Sequence, residues 1–140
     1  MKRKTTINLI LLLLLLLFIS FLVLKTKKSK SELLKSPKFT VCVISSEWHS
    51  KTTFNGPGYD FNYNVNGEKY QSTVNQYDDN TFRLGRKFLY VYDTSNPNVG
   101  YILPIYPLSD TINYPLNGWE LDEVPFDIDM RKVEEYILNR

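Results

Sequence analysis

Two side chains near the middle of the sequence, Cys42 and His49, are of the types that form a nucleophile pair. A thiol of this kind needs a nearby base, and a third group normally orients that base. Both residues lie in the short stretch FTVCVISSEWH, and no residue in a recognisable pattern supplies the third group. The sequence therefore favours a small buried cysteine and a histidine at the surface or a strand edge over a catalytic pair.

Acidic residues form two groups that resemble paired carboxylates or a calcium loop. The groups are Asp78 with Asp79, and Glu120, Asp122, Glu123, Asp127 and Asp129. Neither follows the D-x-D-x-D-G spacing of a calcium loop, and one histidine with one cysteine cannot supply a zinc site. The motifs G-x-x-x-x-G-K, G-x-G-x-x-G and G-x-S-x-G are also missing. We expect no metal, no cofactor and no catalytic residue, and a solvated acidic surface instead.

A polar corner, DTSNPN at residues 93–98, separates two apolar runs. Asp and Ser side chains can bond backbone amides there, and Pro97 keeps the residue before it out of the helical region. The pattern predicts a strand, a six-residue corner and a second strand. A short β domain recognises other proteins through an exposed strand edge or such a corner, so we predict that partners bind at Asp93, Thr94, Ser95 and Asn96.

Aromatic residues suggest ligand stacking as a further possibility. The chain has ten tyrosines and eight phenylalanines, most of them at alternating positions where core packing is the commoner role. Tyr101, Tyr106 and Tyr114 follow no such pattern. These three stay candidates for contact with a sugar or a peptide.

The elements that position these residues follow from alternation with a period of two. Over residues 59–65, YDFNYNV, aromatic and branched side chains alternate with polar ones, and Asn66-Gly67 follows. Asn-Gly is preferred in a two-residue hairpin because both central residues need positive φ. This turn predicts a register that places Tyr63 opposite Tyr70.

Other segments complete a mainly β fold. The first strand is predicted at residues 39–45, and the stretch 87–92, KFLYVY, is apolar on both faces and suits the middle of a sheet or a barrel. Pro104 fits an edge strand or a bulge. An aspartate-capped helix ends the chain. We predict an N-terminal transmembrane helix, then a small antiparallel β-sheet or barrel-like domain with one C-terminal helix.

The segment from Ile7 to Leu24 contains eighteen residues without a charge. As a helix it would span about 27 Å, close to the hydrocarbon thickness of a bilayer. A cleaved signal peptide is the main alternative, although such peptides usually have a shorter apolar region. Lysines flank both ends of the segment. Retention of the cationic amino terminus inside the cell favours a single-pass cell-membrane protein with an outward-facing domain. Simple counting of the flanking charges favours the opposite topology.

Charge divides the chain at about residue 38. Residues 1–38 carry nine Lys or Arg and one acid, hence +8, whereas residues 39–140 carry eight Lys or Arg and fourteen acids, hence −6. An acidic folded region would repel phosphates, so we expect no nucleic-acid partner. We predict a tail and membrane anchor over 1–24, a basic juxtamembrane linker with little reason to fold over 25–38, and a soluble β-rich domain over 39–140.

The stretches YNVNGEKY at residues 63–70 and GRKFLYVYDTSNP at residues 85–97 carry a family resemblance. They resemble small bacterial membrane-anchored proteins of unknown function with an N-G hairpin and a G-x-x-V-x-V-x-Y-D-P-x-N-P signature. Thr94 stands where that signature usually has proline. The resemblance implies membrane association and a β-rich fold, and it implies no catalytic residue.

These observations predict a membrane-anchored, non-catalytic domain for protein interaction or scaffolding. One alternative is a protective, immunity-type partner of a toxin or an envelope machine. The other alternative is an enzyme of unknown class, which would need convergent acid, base or nucleophilic groups that the sequence does not display.

Overall fold

The computed structural model describes residues 2–49, 56–75 and 81–140, with the backbone alone over 2–6. The elements, in chain order, are α1 (Lys2–Lys35), β1 (Pro37–His49), β2 (Pro57–Val65), β3 (Glu68–Asn75), β4 (Lys87–Asp93), β5 (Asn96–Leu108), a 3₁₀ turn (Leu121–Glu123) and α2 (Met130–Leu138). The five strands form one antiparallel sheet in the order β3-β2-β1-β4-β5. The predicted fold class, mainly β with one helix at each end, is confirmed.

Helix α1 is one continuous element of 34 residues, and its side chains from Ile7 to Leu24 are exposed. It is long and apolar enough to cross a membrane by length and composition, a test that a signal sequence also passes. The expectation that residues 25–38 have little reason to fold is wrong, because the helix continues to Lys35. Lysine, leucine and glutamate are good helix formers. Pro37 then ends the helix, since the residue before a proline is disfavoured in helical conformation.

The chain divides into two compact units, Met1–Glu32 and Leu33–Arg140. Leu33, although still helical, is fully buried in the second unit against β4 and α2 residues such as Leu89 and Val133. The folded β unit therefore includes the last turn of α1. A fragment that begins after this turn would lack a core residue.

The β2–β3 hairpin has the predicted turn and register. Asn66 and Gly67 have φ of 53° and 80°, and Tyr63 lies opposite Tyr70. Inward-facing side chains of β2 are buried, while β3 is exposed on alternate residues. The Asn-Gly pair thus fixes the pairing that buries one face of the hairpin.

Replacing Gly67 by valine should lower the free energy of unfolding by about 1 kcal/mol or more, because a β-branched residue resists positive φ. The position has open space, with only Leu116 at 4.0 Å from an added Cβ, so the cost is conformational and not steric. Urea denaturation of the full chain in detergent measures the effect. Unchanged stability would contradict the turn assignment.

Strand β4 lies inside the sheet and is buried on both faces, as its double apolar pattern predicts. One face contributes Phe88, Tyr90 and Tyr92 to an aromatic cluster enclosed by the concave side of the sheet. The other face contributes Leu89 and Val91 to a second cluster under α2. The central strands therefore carry a core on each side.

The sheet is strongly curled. The Tyr63 hydroxyl on β2 donates to the Pro97 carbonyl at the start of β5, at 2.9 Å. Two strands lie between β2 and β5, so a flat sheet would place them about 14 Å apart, beyond the reach of a tyrosine. The sheet thus curls toward a barrel but does not close, because the outermost strands β3 and β5 are not paired with each other.

The C-terminal segment covers the convex face. Trp119 forms an isolated bridge with Phe39, with backbone hydrogen bonds of 2.7 and 2.9 Å. Asp129 caps α2 by accepting from the Arg131 amide, and Val133 and Ile137 are fully buried. The predicted terminal helix is confirmed.

Candidate functional site

The polar corner between β4 and β5 is shorter than predicted. Strand β4 ends at Asp93 and β5 begins at Asn96, which pairs directly with Asp93, so only Thr94 and Ser95 form the turn. The expected six-residue corner is wrong because the residues after the turn belong to β5, where the pairing register shifts. The turn lies beside Pro37, which pairs with Asp93.

Side chains in this corner bind their own backbone. Asp93 Oδ1 accepts from the Ser95 amide at 2.8 Å and from the Ser95 hydroxyl at 2.7 Å. Asn96 Oδ1 accepts from the Asn98 amide at 3.2 Å. Thr94 is exposed, and among the described residues its side chain makes no hydrogen bond of this kind. Asp93 and Asn96 therefore stabilise the conformation of the loop. Thr94 is the residue of this corner that is best placed to contact a partner.

Cys42 and His49 are not brought together. Cys42 is fully buried in the aromatic cluster, where its Sγ donates to the Phe88 carbonyl at 3.5 Å. Burial raises the pKa of the Cys42 thiol well above its usual range. His49 is exposed at the end of β1, with Nε2 3.6 Å from Glu47. A buried, protonated thiol without a base has no nucleophilic role.

Iodoacetamide at pH 8 should leave Cys42 unmodified in the folded chain and modify it fully once urea unfolds the protein. The raised pKa keeps the thiolate fraction small, and the core excludes the reagent. Intact-mass spectrometry counts the adducts. Rapid alkylation of the native chain would contradict the burial and would restore a nucleophile to consideration.

Acidic residues of the C-terminal segment stabilise local structure. Glu120 and Glu123 form a capping box around the 3₁₀ turn, and Glu120 pairs with Lys38 at 3.2 Å. Asp129 caps α2. Asp78 and Asp79 lie outside the described residues. Within the described ranges, no group of three or more histidine, cysteine or acidic residues is arranged to hold a metal ion.

The three unpatterned tyrosines have different surroundings. Tyr101 and Tyr106 pack on the convex cluster, and the Tyr106 hydroxyl accepts from the Asp129 amide at 2.8 Å. Burial raises the pKa of Tyr101. Tyr114 is exposed on the loop before Trp119. Of the three, Tyr114 is the most exposed, and Tyr101 and Tyr106 are partly buried.

A slot between the edge strands β3 and β5 was not predicted. Its walls are Ser72–Val74 of β3 and Gly100–Ile102 of β5, with Phe61 beneath, and its volume is about 180 Å³. Tyr136 and Arg140, at the end of α2, form its rim. The slot depends on an odd number of strands and on the curl of the sheet. The alternation in the sequence indicates strands, but it does not indicate the curl.

Beside this slot lies a shallow groove of about 450 Å³ between β5 and α2. Ile105 is 46% exposed there. Lys132 and Tyr136 on α2 line the groove together with Arg140, two residues beyond the end of the helix. The Arg140 guanidinium stacks 4.9 Å from the Tyr136 ring centre. The slot and the groove share Tyr136 and Arg140, so they form one continuous concave surface.

Comparisons of the chain with protein-family models, with curated proteins and with solved structures give no match. The resemblance to small bacterial membrane-anchored proteins therefore stays a prediction.

Proposed function

We propose that this chain is a membrane-anchored, non-catalytic interaction domain that binds another protein through an edge of its sheet. Two unpaired edge strands, β3 and β5, border a slot with an apolar floor, and this is the observation that carries the proposal. An exposed strand edge offers a row of backbone donors and acceptors that a partner strand can pair with.

The anchor is Ile7–Leu24, which contacts the lipid bilayer, and the β unit faces outward from the cell membrane. Support comes from the length of α1, its uncharged apolar side chains and its basic flanks. The positively charged Lys2, Arg3 and Lys4 favour retention of the amino terminus inside.

A catalytic role is disfavoured by the positions of the reactive groups. Cys42 is buried, His49 is exposed at the end of β1, and Asp129 caps a helix. General acid-base or nucleophilic catalysis needs such groups to converge within hydrogen-bond reach of one another. The groups described here lie in three different environments.

Photo-crosslinking in intact cells tests the binding role. A photoreactive residue placed at Gln71, on the β3 edge, or at Thr94, in the corner, should give a discrete adduct larger than the chain itself. The double variant Asp93→Ala/Asn96→Ala serves as the comparison, because it loosens the corner without altering β3. An adduct at Gln71 that survives this variant supports the edge, and an adduct at Thr94 alone would assign the corner.

No adduct at either position would contradict the interaction domain. Turnover of a substrate by the purified full chain would contradict its non-catalytic character.

A further inference from the structure

Strand direction shows how the curled sheet can be completed. Every neighbouring pair in the order β3-β2-β1-β4-β5 is antiparallel, so β3 and β5 run in the same direction. Direct closure of the sheet would therefore require one parallel pair in an otherwise antiparallel structure. A sixth strand between β3 and β5 would be antiparallel to both and would complete a regular barrel.

The backbone of β3 has groups free for such a strand. In a two-residue hairpin, Val65 and Glu68 form the hydrogen-bonded pair that closes the turn. Alternation along β3 then directs the amide and carbonyl groups of every second residue away from β2, at Lys69, Gln71 and Thr73. Of these three, Thr73 lines the slot.

The facing groups of β5 follow from the same alternation. The Ile44 amide donates to the Arg86 carbonyl at 3.0 Å, which fixes the phase of pairing between β1 and β4. With this phase, the backbone groups of Val91 point toward β5, where Val91 pairs with Tyr101. The backbone groups of Gly100 and Ile102, on either side of Tyr101, therefore point away from the sheet. No backbone hydrogen bond joins β3 to β5 among the described residues. Both walls of the slot therefore present unpaired backbone groups.

The two sides of the slot differ in chemistry. Its inner side is apolar, formed by Phe61, Val74 and Ile102. Its outer rim carries Arg140 with Tyr136. A strand in the slot would alternate between these environments. Residues that face inward would be apolar, and residues that face outward would meet the guanidinium.

The positive charge at the rim favours acidic residues on the outward face of a strand bound in the slot. The rim and the adjoining groove carry two cationic side chains, Lys132 and Arg140, and one carboxylate, Glu135. Within the part of the chain that the structure describes, the salt bridges found include neither Lys132 nor Arg140. The rest of the domain is acidic, with −6 over residues 39–140. An acidic segment is therefore steered to this rim and repelled elsewhere.

We propose that the slot between β3 and β5 binds an extended acidic segment of a partner protein as a sixth, antiparallel strand. This inference rests on the proposed interaction function and names its site and partner chemistry. The segment alternates apolar residues toward Phe61 with an aspartate or glutamate toward Arg140.

Binding requires a small opening of the slot. The Cα atoms of β3 and β5 come within 8 Å of each other, whereas two strands on either side of a third are about 9.6 Å apart. The edges must separate by about 2 Å or more, a movement seen in a substantial minority of complexes. Amide exchange at Gly100 and Ile102 should therefore be fast in the free protein and slow in the complex.

Selection from a displayed library of short peptides tests the proposal. The full chain in lipid nanodiscs is the bait, and empty nanodiscs remove peptides that bind lipid. Enriched peptides should alternate apolar and polar residues, lack internal proline and carry an acidic residue on the polar face. Their addition should slow amide exchange at Gly100 and Ile102 by about tenfold or more.

Two variants locate the binding site. Thr73→Pro removes an outward amide within the slot and should weaken peptide binding by about tenfold. Thr73→Ala is the matched control, because it keeps this amide and alters only the side chain, and it should weaken binding by no more than about twofold. Arg140→Glu should weaken the acidic peptides by about tenfold, and a peptide with lysine in place of its acid should regain binding to this variant.

The outcomes separate the two proposals. Peptides that bind Thr73→Pro and Arg140→Glu as tightly as the parent would overturn the sixth-strand site and leave the interaction function standing. Failure to enrich any peptide above empty nanodiscs would also overturn this site. Loss of every crosslinked adduct in cells would overturn the interaction function itself.

Discussion

Replacing Tyr90 by alanine should lower the free energy of unfolding by about 3–5 kcal/mol, the range for deleting a large buried ring. Tyr90 is 1% exposed, and its ring centre lies 4.3 Å from that of Tyr63 and 5.5 Å from that of Phe61. Burial raises the pKa of Tyr90, and the neighbouring Tyr63 hydroxyl adds to this effect. Alanine would leave a cavity at the centre of the concave cluster.

Two control variants separate the contributions of the buried ring and of its hydroxyl to this free-energy loss. Tyr90→Phe keeps the ring and removes a buried hydroxyl, so its cost should be about 1 kcal/mol. Tyr114→Ala alters an exposed ring and should change stability by no more than about 0.5 kcal/mol. Urea denaturation of the full chain in detergent measures all three. Equal effects for Tyr90→Ala and Tyr114→Ala would contradict the concave core.

Gly118→Ala should lower the free energy of unfolding by about 3 kcal/mol, from the combined cost of positive φ and overpacking. Gly118 has φ of 72°, and an added Cβ would collide with the Tyr92 hydroxyl and lie 3.2 Å from the Phe39 carbonyl oxygen. That carbonyl accepts from the Trp119 amide in the bridge that holds the C-terminal segment on the sheet. The methyl group would therefore disturb this bridge.

Gly85→Ala is the matched control for this prediction. Gly85 has φ of 79°, similar to that of Gly118, but no atom lies within 4 Å of an added Cβ. Its cost should be the conformational part alone, about 1 kcal/mol. Equal losses for the two variants would show that the contact of Gly118 with Tyr92 has no energetic weight.

Much of the fold could be predicted because local signals and burial agree. Asn66-Gly67 specified the turn, and the turn specified the register that places Tyr63 opposite Tyr70. The run of residues 87–92 indicated an interior strand because both of its faces are apolar. A capping aspartate, Asp127 or Asp129, indicated the terminal helix, and Asp129 is the residue that caps α2. Each of these signals lies within a few residues of the feature it predicts.

The wrong predictions arose where local composition was overridden by contacts with residues distant in the sequence. Serines and lysines after Leu24 indicated a linker, but Leu33 is fully buried in the β unit and the helix continues to Lys35. Between β4 and β5, polar residues suggested a long corner. Pairing of Asp93 with Asn96 shortened it to two residues. Tertiary burial and strand pairing decided both cases.

The slot could not be predicted from local pattern. It depends on the curl of the sheet, which the Tyr63 to Pro97 hydrogen bond reports across two intervening strands. It also depends on the position of Arg140, which reaches the rim only because α2 packs on the convex face. Alternation identifies strands and their faces, but it does not identify which edges come to face each other.

The central claim, that Ile7–Leu24 anchors the β unit to a membrane, is tested most directly by carbonate washing of membranes from cells that express the full chain. The control Leu14→Arg/Leu15→Arg places two charges in the span, at about 2.5 kcal/mol or more each, and should appear in the supernatant. We predict that the parent chain stays in the membrane pellet at its full mass of 16.4 kDa. Release of the parent into the supernatant at a reduced mass would identify residues 7–24 as a cleaved signal sequence and contradict the anchor.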